Sequence, residues 1–162
     1  MKLDYRENHS IRSLLPLLGS QLGNKNERER IAIADSMYQY IRVRLGLHSA
    51  PDVEVGDIIH IDYGFTNYNN EVWYHHIGIV LAVDGMKLMV APMTSTNVET
   101  RDMTRGVVVT TEHGVARDSY VFFNDIKWLC NKRVIAVKGR IPQQEVKRIS
   151  SEYVQFMMRA GV

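Results

Sequence analysis

The hydrophobic pattern of this chain changes its period once, and that change divides the sequence into two parts. From Glu27 to Leu45 the apolar positions recur every three or four residues, at Ile31, Ala34, Tyr38, Ile41 and Leu45, which is typical of an amphipathic helix. After Ser49-Ala50-Pro51 apolar and polar residues alternate, as over Asp57–Tyr63, which indicates a strand. We therefore expect a helical extension over residues 1–50 and a strand-rich domain over residues 51–162.

The long helix is predicted to begin after Asn24 or Asn26, both of which are good N-caps, and to end at Gly46. A shorter helix over Ile11–Leu18 is predicted to precede it, separated by the Gly19–Gly23 segment. Neither helix contains a nucleophile or a cluster of metal ligands. We expect both to be packing elements.

The second part is predicted to be a sheet with a closing helix. Strands are expected over Asp57–Tyr63, Val72–Val83, Lys87–Met93, Val107–Thr110, Tyr120–Phe123 and Arg133–Val137, and a helix from Pro142 to about Arg159. The helix has an apolar stripe of Val146, Ile149, Tyr153 and Met157. Short strands of this number, flanked by helices, predict an α+β fold with a small, strongly bent sheet or barrel.

The composition excludes several classes of protein. A chain of 162 residues with one cysteine, Cys130, cannot form an intrachain disulfide, which suits a reducing cytosol, and the thiol lies among apolar residues that favour an inert, buried role. The first ten residues carry acids and no apolar stretch, unlike a signal peptide. The most apolar run, Ile77–Val83, is far shorter than the roughly 20 residues that span a bilayer. We expect a soluble, cytoplasmic protein with no membrane partner.

The hairpin after Val83 determines which side chains meet. A three-residue loop, Asp84-Gly85-Met86, would pair Val83 with Lys87 and place His76 opposite Thr94, whereas a two-residue Asp84-Gly85 loop would place His75 opposite Thr94. The three-residue loop gives the better core, because it pairs Ile77, Ile79 and Leu81 with Met93, Ala91 and Met89. In this register His75 is expected in the core and His76 on the more open side.

An imidazole beside a hydroxyl suggests acid–base chemistry on a phosphodiester. Neutral histidine accepts a proton near pH 7, since its unperturbed pKa is about 6.5. In RNA the 2′-OH can attack its own phosphate with only a base, an acid and donors to the phosphate oxygens, so no metal is required. His76 would be the base or acid, Thr94 or Ser95 the donors, and a cation such as Lys127 the charge stabiliser.

Several segments together resemble the MazF/PemK toxins, a family of endoribonucleases from toxin–antitoxin pairs. Residues 55–64, VGDIIHIDYG, resemble the family's opening "GDIVWVDF" strand, and residues 90–95, VAPMTS, its "VxPxTS" strand. Residues 71–81, EVWYHHIGIVL, and 124–135 resemble its "GxRPAVVL" and "DQIRTxxKxRI" segments. The resemblance runs from about Val53 to the C-terminal helix. It implies a small SH3-like barrel of the CcdB/MazF type, with an N-terminal helical extension and a C-terminal helix.

The resemblance also implies an activity and a set of site residues. The family's catalytic threonine falls on Thr94 and its loop glutamate on Glu71, while its catalytic arginine falls on His76. Arginine stabilises phosphate charge and is a poor proton carrier, whereas histidine does the reverse. We expect a metal-independent, sequence-selective endoribonuclease that cleaves single-stranded RNA through 2′-OH attack, acts as a growth-inhibiting toxin and needs no cofactor. By resemblance we expect a homodimer and a cognate antitoxin.

Two segments are candidate RNA-binding surfaces. The loop of Thr66, Asn67, Tyr68, Asn69 and Asn70, which follows Phe65, combines an aromatic face with amide donors suited to unpaired bases; the same residues also suit an ordinary solvated loop. From Lys127 to Arg148, seven cations, among them Lys127, Lys132 and Arg133, stand with Glu145 as the one acid. A solvated face is the alternative interpretation.

Two other functions are weighed against this one. His60, Asp62, His75 and His113 do not define a metal site, because no third ligand has a fixed position and paired cysteines are absent from the sequence. A diverged binding protein that inhibits its target without cleavage remains the alternative. The CcdB toxins have the same fold and bind gyrase, and the arginine expected at His76 is missing.

Overall fold

The computed structural model describes residues 16, 19–20, 22–64, 72 and 74–161. The loop residues Thr66, Asn67, Tyr68, Asn69 and Asn70, together with Glu71, lie outside the described residues. So does the predicted Ile11–Leu18 helix apart from Pro16, which is helical. The predicted break at Gly19–Gly23 is wrong, because Gly19, Ser20, Leu22 and Gly23 are also helical.

Helix α1 spans Glu27–Arg44, close to its predicted bounds. Asn26 is the N-cap: its side chain accepts a hydrogen bond from the Glu29 backbone N–H at 2.9 Å, and the Glu29 carboxylate accepts one from the Asn26 N–H in return. Such a reciprocal pair satisfies two donors that the first helical turn leaves open. The helix ends before Gly46, which has a φ of +70° that glycine adopts at little cost.

Seven strands form one antiparallel sheet. They are β1 (Asp57–Asp62), β2 (His75–Asp84), β3 (Lys87–Thr94), β4 (Gly106–Val109), β5 (Ser119–Phe122), β6 (Lys127–Cys130) and β7 (Val134–Arg140). Their order is β4-β5-β3-β2-β1-β7, and β6 pairs with the first half of β3, at Lys87–Val90. The sequence did not predict β6, because its three consecutive apolar residues, Trp128, Leu129 and Cys130, show no alternation.

The hairpin between β2 and β3 has neither of the two predicted loops. Asp84 pairs with Lys87, so Gly85 and Met86 form a two-residue turn, and the predicted loops Asp84-Gly85-Met86 and Asp84-Gly85 are both wrong. A register irregularity between Val80 and Ala82 then absorbs one residue. Beyond it, Ile77 pairs with Met93 and Ile79 with Ala91 as predicted, whereas Met89 pairs with Ala82 instead of Leu81.

Both faces of the central strands are buried. One face packs with helix α2 (Gln143–Arg159), whose Val146 and Ile149 join Ile58, Ile79 and Met93 in a first core. The other face contributes to a second core, which contains Ile59, Ile61, Tyr63, Val80, Leu88, Val90, Leu129 and Val134. Residues on both faces of these strands are buried. The sequences of β1 to β3 are therefore nearly continuous apolar runs.

Helix α1 lies against the sheet with an unexpected face. Its predicted apolar stripe is solvent-exposed, with Tyr38 at 64% and Leu45 at 66% relative exposure, whereas Ile33, Ser36 and Gln39 are buried. The buried Ser36 hydroxyl donates to Asp62 Oδ1 at 2.7 Å. The helix is therefore attached by a polar contact to the end of β1, and its apolar stripe does not pack on the described part of the sheet.

Candidate functional site

A cavity of about 640 Å³ opens beside the start of β2. Its lining is formed by residues from β1, β2, β3 and β7 and from the loop before β5: Ile58, His60, His75, His76, Ile77, Met93, Thr94, Ser95, Gly114, Val115, Ala116, Arg117, Ser119, Lys138 and Gly139. These lining residues include three imidazoles, two cations and three hydroxyl groups, and none of them is an aspartate or glutamate. Such a surface favours an anion.

Three of the predicted catalytic residues, His76, Thr94 and Ser95, line this cavity. The observed pairing of Ile77 with Met93, continued by one residue, places His76 opposite Thr94. Thr94 Oγ1 accepts a hydrogen bond from the Thr96 backbone N–H at 3.2 Å. Since the hydroxyl is the acceptor in that bond, its own proton is available to a phosphate oxygen.

The ring of His76 turns toward the second core. His76 pairs with Ile61, and its ring lies edge-on to that of the buried Tyr63, with 6.3 Å between the centroids. Its Nε2 atom is enclosed and has no hydrogen-bond partner among the described residues. The expectation that His76 occupies the more open side of the strand is therefore wrong.

The electrostatic surroundings of His76 act in opposite directions. Burial lowers the pKa of His76 from its ordinary value, because a charged imidazolium is poorly solvated there. A hydrogen bond to the Met93 backbone and the nearby Asp125 carboxylate oppose that lowering. An anionic substrate would further favour the protonated form.

His60 and His75 face the cavity side of the sheet. His75 pairs with Asp62 and His60 with Ile77, so both lie on the face opposite to His76. Their rings meet edge-on with centroids 5.5 Å apart. The Nε2 atom of His75 is enclosed without a partner among the described residues, whereas neither ring nitrogen of His60 is among the enclosed, unpartnered atoms of that same part of the chain.

Burial, and after it the neighbouring charges, favour the neutral form of His60. Burial lowers the pKa of His60, and the nearby His75, Lys138 and His76 lower it further because each disfavours a second positive charge. The imidazole is thus predominantly neutral near pH 7 and able to accept a proton. Sequence reasoning considered His60 only as a metal ligand. Assigning the β1–β2 register would have placed it beside the site.

Lys138 and Arg117 complete the positive lining. Lys138 belongs to the predicted seven-cation stretch, whereas no pattern in the sequence selects Arg117. Lys138 lies at a register shift between β1 and β7, and Arg117 in the loop before β5. The remaining predicted RNA-binding cations lie elsewhere: Lys127 Nζ is 5.8 Å from the centre of the Tyr63 ring, and Lys132 and Arg133 line a different pocket.

The seven-cation stretch is not one continuous surface. Arg140 forms ion pairs of 2.7 Å with both Asp57 and Glu54, and Arg148 pairs with Glu145 and Glu152. These two arginines stabilise the fold. Among the described residues, no group of three His, Cys, Asp or Glu side chains is placed to hold a metal ion. In the same part of the chain, no helix is long and apolar enough to cross a membrane.

The fold resembles that of endoribonuclease toxins. A mycobacterial endoribonuclease solved with its cognate antitoxin matches with a TM-score of 0.50 and 12% identity, over 65% of this chain and 95% of that one. A second mycobacterial endoribonuclease matches with a TM-score of 0.49 and 12% identity, over 68% and 93% of the two chains. The Mycobacterium tuberculosis toxin MazF-mt6 matches with 0.47 and 13%, over 62% and 95%.

The first of these matches shows that this chain shares the fold of that endoribonuclease, and the predicted resemblance is confirmed at the level of the fold. No protein-family model matches the sequence, and no curated protein matches it. The described helices and the antiparallel sheet confirm the α+β class.

Proposed function

We propose that this protein is a metal-independent endoribonuclease that cleaves single-stranded RNA and acts as a growth-inhibiting toxin. The observation that carries the proposal is the cavity beside β2, where imidazoles, hydroxyls and cations meet without an aspartate or glutamate in the described lining. Those groups supply what 2′-OH attack on a phosphodiester needs: a base, an acid and donors to the phosphate oxygens.

The proposed reaction uses two histidines from opposite faces of the sheet. Neutral His60 takes the proton of the 2′-OH as the 2′-oxygen bonds to phosphorus, and protonated His76 gives a proton to the 5′-oxygen as the P–O5′ bond breaks. The products are a 2′,3′-cyclic phosphate and a 5′-hydroxyl, so atoms and charges balance without a metal ion or a redox partner. Thr94 and Ser95 donate to the phosphate oxygens, and Lys138 stabilises their charge.

The remaining parts of the proposal follow the MazF resemblance. Glu71 is a further candidate catalytic residue, and the loop of Thr66, Asn67, Tyr68, Asn69 and Asn70 would read unpaired bases together with Lys127, Lys132 and Arg133. We extend the proposal to a homodimer and to a cognate antitoxin, since the first similar structure is an endoribonuclease in complex with its antitoxin. Closure of the sheet into an SH3-like barrel, with residues 1–50 as an added helical extension, belongs to the same proposal.

Binding without cleavage is the second candidate function. Enclosure of both the His75 and His76 Nε2 atoms favours it, because an enclosed nitrogen cannot exchange protons with a substrate until the site opens. In that case the cavity would recognise an anionic target and inhibit it, as expected of a diverged toxin.

Purified protein incubated with a mixed-sequence single-stranded RNA and a chelator tests the choice. We expect fragments ending in 2′,3′-cyclic phosphate, and we expect the Thr94→Ala and His76→Ala variants to lose most of this activity. A wild-type protein as inactive as both variants on many RNAs would reject the nuclease and leave the binding function.

A further inference from the structure

A separate pocket of about 400 Å³ lies between helix α1 and the end of β1. The residues that matter here are Gln39 and Arg44 from the helix, Asp62 and Tyr63 from the end of β1, and Lys132 and Arg133 from the turn before β7. Its volume falls in the range of about 300–1,000 Å³ found for ligand pockets. Five of its eleven described lining residues come from helix α1, and the other six from the end of β1 and the residues after it, the end of β6 and the turn before β7.

Gln39 has a buried donor that no other described residue accepts. Its side chain lines the pocket at 7% relative exposure, and its Nε2 atom has no hydrogen-bond partner among the described residues. Buried amides are nearly always hydrogen-bonded, because an unmet donor costs stability. A donor left open in a pocket wall indicates a ligand that brings an acceptor oxygen or nitrogen.

The charges of the pocket favour an anionic ligand. Arg44, Lys132 and Arg133 carry three positive charges, and Asp62 carries the one negative charge of the lining. The Asp62 Oδ1 atom already accepts hydrogen bonds from the Ser36 hydroxyl at 2.7 Å and the Gly64 N–H at 2.9 Å. That oxygen of Asp62 is thus occupied in holding the helix. Arg133 Nη1 donates to the Asp62 backbone oxygen at 3.3 Å, and the planar guanidinium groups of Arg44 and Arg133 carry further N–H donors suited to phosphate.

We propose that this pocket binds a phosphate group of single-stranded RNA, next to the nucleotides held at the cleavage cavity. The proposal rests on the nuclease function. Tyr63 connects the two sites, since it lines the pocket and its ring contacts that of His76. Tyr40, also in the lining and 57% exposed, offers an aromatic face on which a base can stack.

An acidic peptide is the competing ligand, because its carboxylates also match three cations. RNA is favoured by the position of the pocket beside the cleavage cavity and by the exposed aromatic ring at its rim. The helical extension then has a defined role: it supplies part of the RNA-binding surface through Gln39 and Arg44. The exposed apolar stripe of α1 is not needed for this role.

Fluorescence anisotropy with a labelled single-stranded 2′-O-methyl RNA tests the proposal, because this RNA binds without being cleaved. Arg44→Ala and Gln39→Met are expected to weaken binding about tenfold each, which corresponds to one lost polar contact. The matched control is Arg30→Ala, an exposed arginine of the same helix outside the pocket lining. Arg30→Ala removes the same charge as Arg44→Ala but no pocket contact, so its RNA affinity should stay within about twofold of that of wild type.

Two further readouts separate a binding role from a structural one. Arg44→Ala should lower the salt dependence of RNA binding by about one counterion, and Arg44→Lys should restore it. Gln39→Met should unfold at the same or a higher urea concentration than wild type, because it removes an unmet buried donor. A lower unfolding midpoint in Gln39→Met would assign its effect to folding and overturn the proposal.

The outcomes distinguish this proposal from the proposed function. If wild type cleaves RNA and Arg44→Ala binds RNA as Arg30→Ala does, the pocket proposal is wrong and the nuclease stands. If Arg44→Ala loses affinity only for a polyglutamate peptide, the ligand is an acidic protein segment. If inorganic phosphate displaces the RNA from wild type and Arg44→Ala equally, the pocket is not the phosphate site. A wild type that neither binds nor cleaves RNA rejects both.

Discussion

Strand β2 carries histidines in two different environments on its two sides. On one side His76 lies beside buried Tyr63, where burial lowers its pKa and the Met93 backbone and Asp125 only partly oppose that lowering. On the other side His60 approaches from β1 beside His75 and Lys138, where burial lowers its pKa and these two neighbours lower it further. The surroundings therefore distinguish the two proposed roles: His76, near a carboxylate, is the proposed acid, and His60, near a cation, is the proposed base.

Removing the imidazole of His76 or that of His60 is the strongest test of this division into acid and base. His76→Ala and His60→Ala should each lower kcat/KM for RNA cleavage by about 10²–10⁴-fold, the usual contribution of a general acid or base. His48→Gln is the control, since His48 Nε2 bonds the Val134 carbonyl oxygen at 2.9 Å, outside the cavity lining. If His76→Ala loses cleavage activity and His60→Ala keeps it in full, then His60 is not the base.

The next effect concerns the hydroxyl opposite His76. Thr94→Val keeps the shape of the side chain and removes the donor, and it should lower kcat by roughly 10²-fold with little change in RNA affinity. Thr96→Val serves as the control, because Thr96 contacts Thr94 through its backbone N–H. Equal rates in the two variants would remove Thr94 from the mechanism.

The pH profile of cleavage in a Lys138 variant tests whether His60 is the base. Its charge lowers the pKa of His60, so Lys138→Gln should raise that pKa and move the acidic limb of the kcat/KM profile to higher pH. Lys147→Gln removes an equal charge from an exposed position of α2 and should leave the limb unchanged. An unshifted limb in Lys138→Gln would mean that another group is the base.

The hydrogen bond that attaches α1 to the end of β1 predicts an effect on the free energy of unfolding. Ser36→Ala removes the hydrogen bond to buried Asp62 and should lower the free energy of unfolding by about 1–3 kcal/mol, measured by urea denaturation. Ser151→Ala, an exposed serine of α2, should change it little. An equal midpoint in both variants would mean that the Ser36–Asp62 contact does not hold the helix.

The smallest expected effect is a pH dependence of the free energy of unfolding, to which both His60 and His76 contribute. The pKa values of His60 and His76 are lowered in the folded state, so the unfolded chain binds protons first as the pH falls. Their contribution to stability is complete above about pH 6.5 and declines as the pH drops through the folded values. Urea midpoints of His60→Asn should therefore fall less than those of wild type between neutral and mildly acidic pH.

Local pattern predicted most of the fold. Helix α1 and its Asn26 cap, helix α2 with buried Val146 and Ile149, and strands β1 to β3 follow from side-chain periodicity and capping chemistry within single segments. The exposed stripe of α1 was missed because periodicity identifies an apolar face without saying what covers it. There a polar pair between Ser36 and Asp62 determines the orientation.

The site was only partly predictable. Thr94, Ser95 and His76 were found through a hairpin, where sequence neighbours pair locally. The places of His60 and Lys138 beside the cavity could not be predicted, because they depend on pairings between β1, β2 and β7.

The most direct test of the central claim is the chemistry of the cleaved end. Wild-type protein should cut single-stranded RNA in the presence of a chelator and leave a 2′,3′-cyclic phosphate, and a 2′-deoxy substitution at a mapped cleavage position should block cutting there. Cleavage that continues at the 2′-deoxy nucleotide, or that depends on a divalent ion, would contradict the account.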